Sequence, residues 1–144
     1  SMSQGTQKRF EFIDHTGDIG IRVFGENREG IFQHAAEALF EVITDLDTIE
    51  PKETKDITVE ADGWEPLLIA WLNEFIYLFD TREMLFRDFA ILSLEEHRMV
   101  ATAGGEPYDA GKHPIKTTVK GATYHQLRIF RKEDLWVGEV ILDI

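Results

Sequence analysis

Asp14, His15 and Asp18 lie within one five-residue window of the stretch DHTGDIG, beside Gly17 and Gly20. A turn that only reverses the chain needs no such concentration of ionisable groups. At the other end of the sequence, EVILDI places Val140, Leu142 and Ile144 on one face of an extended strand and Ile141 and Asp143 on the other. A carboxylate on a partly apolar face needs a cation, a lysine or backbone N–H groups. If the first and last strands are neighbours, Asp18 and Asp143 converge, and a carbonyl or terminal carboxylate oxygen of Ile144 adds a third ligand. Oxygen-only ligation suits Ca²⁺, Mg²⁺ or Mn²⁺ and not zinc. On spacing alone, turn capping and ordinary ion pairing explain the same aspartates. His15 is a ligand, a base or a hydrogen-bonding turn residue. Lys120 would orient a phosphate or neutralise a carboxylate, or is a solvated strand lysine. Tyr124 and His125 read as structural.

The elements around these residues read as α+β. Phe10–Ile13 and Ile19–Phe24 have strand character, the second by alternation of Ile19, Ile21 and Val23. Asn27 suits an N-cap for a helix over about Arg28–Thr44. Thr54–Ala61 alternates as a strand. Asp62 and Glu65 form a carboxylate variant of a capping box before a helix over about Trp64–Phe79, whose apolar residues recur at three- and four-residue steps. Five further strands are expected over Phe86–Leu94, Arg98–Gly104, Lys116–Lys120, Thr123–Arg131 and Leu135–Leu142. Gly104–Pro114, rich in glycine and proline, reads as a mobile loop. The expected architecture is a two-layer sandwich, with two helices packed on a mostly antiparallel sheet.

The length suits one domain over residues 9–144, with Ser1–Lys8 read as an expression scar and a mobile end. No cysteine is present, which excludes disulfides, thiolate zinc sites and cysteine nucleophiles. No apolar run approaches the ~20 residues of a membrane span, and a cytoplasmic protein is expected. The formal charge of −12 argues against strong direct binding of nucleic acid, which relies on lysines and arginines releasing counterions. The charge is uneven. Lys112, Lys116, Lys120, Arg128, Arg131 and Lys132 follow one another without an acidic residue between them. They read either as solvated positions or as a basic patch for an acidic partner or a phosphate. No nucleotide-binding loop, nucleophile elbow or metalloprotease motif is present, and nothing identifies a self-sufficient active site.

Four segments together carry a resemblance. DHTGDIG near the start, WLNEFIYLFD on the second helix, KGATYH late in the chain and VILDI at the end resemble the archease family, in order and at compatible distances. The resemblance spans about Phe10 to Ile144. It departs at Gly17 and Gly121, where the family pattern usually has alanine.

The resemblance implies a protein that is not an enzyme. Archeases act as protein cofactors of the GTP- and manganese-dependent RNA ligase that joins 3′-phosphate or 2′,3′-cyclic-phosphate ends to 5′-hydroxyl ends. That ligase serves tRNA splicing and RNA repair. The activator promotes guanylylation of the ligase's histidine and supports multiple turnover. A tRNA cytosine-5 methyltransferase is the alternative partner, with this chain as chaperone or specificity modulator. Carried over by position, the family's metal site falls on Asp18, Asp143 and Ile144, with calcium expected first and magnesium or manganese as alternatives. The family's functional lysine falls on Lys120. Asp14 and His15 are expected to shape the turn and orient the ligand.

Overall fold

The computed structural model describes residues 8–144. Of the tail expected over Ser1–Lys8, Ser1–Gln7 lie outside the described residues. Lys8 is described, and its Nζ pairs with Glu11 Oε1 at 3.2 Å. In chain order the elements are β1 (Phe10–His15), β2 (Asp18–Gly25), α1 (Arg28–Ile43), a short 3-10 turn (Leu46–Thr48), β3 (Glu53–Glu60), α2 (Trp64–Arg82), β4 (Met84–Glu95), β5 (Arg98–Pro107), β6 (Gly121–Lys132) and β7 (Leu135–Asp143).

The α+β reading holds, with two helices and antiparallel strand pairs. The strands divide into two sheets, ordered β1-β2-β7-β6 and β3-β5-β4. β7 lies between β2 and β6, so the end of the chain is built into the sheet that its beginning starts.

Each helix touches strands of both sheets. α1 can do so because Ala35, Ala36 and Ala38 are fully buried, and their small side chains let neighbours approach on several sides. α2 buries Leu67, Leu68, Trp71, Leu72, Phe75 and Ile76, as its apolar spacing requires. An aromatic cluster joins the layers. Trp71 and Phe75 of α2 have ring centroids 4.6 Å apart, and Phe75 meets Phe86 and Phe89 of β4 at 5.4 and 5.2 Å. The Trp71 indole N–H, which cannot be buried unpaired without cost, donates to Phe32 O of α1 at 2.8 Å.

Three local expectations change. The N-cap of α2 is Gly63 (φ +135°), with no side-chain hydrogen bond, so Asp62 closes no capping box. Asn27 does cap α1, its Oδ1 accepting from Gly30 N at 2.8 Å. No strand forms over Lys116–Lys120, which runs as an irregular connection. The loop after β5 is tied down rather than free. Buried His113 accepts the Asp109 N–H at Nδ1 (3.0 Å), so its Nε2–H faces Glu106 Oε2 at 2.8 Å. Glu106 also accepts the Glu50 N–H at 2.8 Å and pairs with Lys112. Burial alone would push the Glu106 carboxyl up, but the donors Lys112, Glu50 and His113 overcome it and bring its pKa to about 2.

Candidate functional site

The hairpin β1–β2 has two connecting residues, Thr16 and Gly17, because His15 and Asp18 are register partners. Gly17 adopts φ +78°, the left-handed region open to glycine without steric cost. The glycine at this position therefore sets the backbone as well as keeping the turn small. Gly121 differs: a Cβ there would meet its nearest neighbour, Asn73 Oδ1, at 3.6 Å, an ordinary contact.

Register carries the row across the sheet. Asp18 pairs with Asp143 of β7, and Asp143 pairs with Gly121 of β6. Directly opposed residues of antiparallel strands share a face, with Cβ atoms about 5 Å apart. His15, Asp18, Asp143 and Gly121 thus form one cross-strand row at one end of the four-stranded sheet. The row faces away from the helices. A Cβ on Gly138, the register partner of Val23, would meet Ile31 of α1, so that face looks inward and the alternate positions look outward.

Neither Asp18 nor Asp143 belongs to an ion pair among the described residues; the nearby arginines are engaged with Glu11 and Glu139. Like charges directly opposite destabilise a sheet, so a cation between them would offset that repulsion. Two carboxylates are oxygen donors of the kind a hard cation takes. Among the described residues no three His, Cys, Asp or Glu side chains are grouped to hold a metal.

Lys120 immediately precedes the row. Its backbone N–H donates to Asp143 O at 2.7 Å, and its side chain is exposed. The adjoining Ala122 N–H donates to Asn73 Oδ1 of α2 at 2.9 Å. Asn73 therefore fixes where the Lys120–Gly121 segment meets the sheet. Sequence reasoning missed it; the signal was a lone amide beside the apolar stripe of α2.

Asp14 is placed apart from the row. It pairs with Ile19, on the helix-side face, and is exposed. His15 lies in the row, and its ring packs over Gly20: a Cβ on Gly20 would fall 3.1–3.2 Å from the ring. Three of the six residues of the basic run are paired with carboxylates. Lys112 pairs with Glu50 and Glu106, Lys116 with Glu41 and Asp45, and Arg128 with Glu139.

The KGATYH segment contains an irregularity that its sequence does not announce. Between the pairs Thr123–Ile141 and Arg128–Glu139, Tyr124–Leu127 stand opposite the single residue Val140. Tyr124, His125 and Gln126 are exposed.

The archease protein family model matches residues 10–144. The archease of Methanosarcina barkeri is 38% identical over 99% of each chain, and that of Methanopyrus kandleri is 38% identical over 94% of this chain and 99% of its own. The solution structure of protein 1598 of Methanobacterium thermoautotrophicum superposes with a TM-score of 0.83 at 33% identity, covering 96% of this chain and all of that one. A crystal structure of a Thermotoga maritima archease, described as a possible chaperone, shares the fold with a TM-score of 0.64 at 22% identity over 92% of this chain and 94% of its own. This chain belongs to the archease family.

Proposed function

We propose that this protein activates the GTP-dependent RNA ligase that joins 3′-phosphate and 5′-hydroxyl ends, promoting guanylylation of the ligase and its multiple turnover. The observation that carries the reading is the pairing of Asp18 with Asp143, with Lys120 held to Asp143 by its backbone N–H. Two carboxylates and a lysine at one sheet end suit use on another protein's nucleotide, by neutralising and orienting its phosphates. Asp18, Asp143 and an oxygen of Ile144 would hold the divalent cation, calcium first among the candidates. When bound, the cation supplies positive charge for orienting phosphate oxygens. Lys120, exposed one residue before the row, would supply a second cation. Positioning and charge neutralisation are what nucleotidyl transfer needs.

Guanylylation of the purified ligase, followed with and without this protein and with Asp18→Ala, Lys120→Ala and Asp143→Ala, tests the proposal. The unaltered protein should accelerate it and each variant should not. Full acceleration by all three variants would remove the site. No effect of the unaltered protein, together with co-purification of a tRNA cytosine-5 methyltransferase, would favour the chaperone role.

A further inference from the structure

Among the described residues, the β6 excursion is the one place where this sheet departs from regular pairing. Four residues oppose one, and Gln126 within it adopts φ +56°, a conformation that costs a non-glycine residue free energy. Leu127 packs against the core, but Tyr124, His125 and Gln126 are all exposed, Tyr124 at 65%, so core packing accounts for one residue of the four. The excursion folds over the outer face of the sheet. Ile141 lies on that face and is nevertheless buried, and Gln126 and His15 line a recess of about 150 Å³ over Gly20 and Ile141. Two unusual backbone features border the recess, the bare Gly20 under His15 and the left-handed Gln126.

We infer that Tyr124 and the recess between Gln126 and His15 form the contact by which this protein docks on its ligase partner. The inference rests on the ligase reading above. Tyr124 follows Lys120 by four residues and Gly121, the register partner of Asp143, by three. A partner seated on the bulge is therefore placed against the carboxylate row. An exposed tyrosine offers large contact area at low entropic cost, the type of residue that anchors protein interfaces. The recess, with an apolar floor and polar walls, accepts one partner side chain. A nucleic-acid strand fits this surface poorly. The protein carries a net charge of −12, and Arg128 and Arg22 are already paired with Glu139.

Affinity for the immobilised ligase, measured for the unaltered protein, Tyr124→Ala, Gln126→Gly and the remote control Leu92→Ala, tests the inference. Tyr124→Ala should weaken binding about 30-fold, as loss of an interface anchor does. Gln126→Gly should weaken it about threefold to tenfold while melting no lower than the unaltered protein, since glycine accepts this φ freely. Leu92→Ala, at an exposed leucine on the other sheet, should bind as the unaltered protein does. Ligase binding unchanged by Tyr124→Ala would overturn the docking role and leave the activator reading standing. No ligase binding by the unaltered protein would overturn both. Loss of affinity for a short single-stranded RNA, with ligase binding retained, would assign the bulge to nucleic acid and overturn the inference.

Discussion

Asp18 and Asp143 face each other across adjacent antiparallel strands, on the side of the sheet away from the helices, and neither is in an ion pair among the described residues. Two carboxylates set opposite each other by the strand register are expected to repel. That repulsion sets the first prediction.

With divalent ions chelated, Asp143→Asn should raise the melting temperature by about 1–3 °C, because it removes a like-charge pair. With Ca²⁺ added the order should reverse. A cation that binds only the folded state stabilises the unaltered protein, while the variant gains little. Calorimetric melts with chelator and with each of Ca²⁺, Mg²⁺ and Mn²⁺ make the comparison. Melting of the unaltered protein that ignores all three ions would speak against the site.

Asn73→Ala should cost about 1–2 kcal/mol, the usual penalty for leaving a partly buried donor unmet. The loss should be local. Hydrogen exchange should speed up at the Ala122 amide and in the Lys120–Thr123 segment before it does in α1. Uniform exchange changes across the protein would argue against a clamp on that segment.

Two glycines should respond in opposite ways to alanine. A Cβ on Gly105 would lie 1.9 Å from Leu85 O, an impossible approach to the backbone of β4. Gly105→Ala should therefore destabilise by about 3 kcal/mol or more, or fail to fold. Gly121→Ala meets only ordinary contact and should be neutral or slightly stabilising, through lost freedom in the unfolded chain. Urea melts of the two variants test both.

Acid should release the loop that Glu106 anchors. Its folded pKa of about 2 lies below the model-peptide value of 4.5, so the unfolded chain binds the proton more readily. The stabilisation is complete above about pH 4.5 and is lost as pH falls towards 2. Glu106→Gln should flatten the stability profile over that window and cost stability at neutral pH, where Lys112 and His113 lose their charged acceptor. A stability profile unchanged between pH 2 and 4.5 would contradict the assignment.

How much of this was legible in the chain follows from which features are local. The amphipathic stripe of α2, the alternation in β2 and the Asn27 cap are written in neighbouring residues, and all three form. The convergence of Asp18 and Asp143 was legible only as a condition, since it needs β2 and β7 to be neighbours. Strand order depends on packing between distant residues, and that pairing supplies the condition. The division into two sheets was not legible, because alternation says which face is buried and not against what. The excursion at Tyr124–Leu127 was hidden for a related reason. Bulges are fixed by mismatch between two strands, and Thr123–Arg131 read alone passes for an ordinary strand. Asp14 shows the limit of spacing. It is four residues from Asp18, but the hairpin turns it to the other face.

The central claim is that the Asp18–Asp143–Lys120 end acts on a ligase in trans. The most direct measurement is RNA joining with ligase limiting and RNA in excess. The unaltered protein should carry the ligase through many turnovers. Asp18→Ala, Asp143→Ala and Lys120→Ala should each leave it near a single turnover. Undiminished multiple turnover with all three variants would contradict the account.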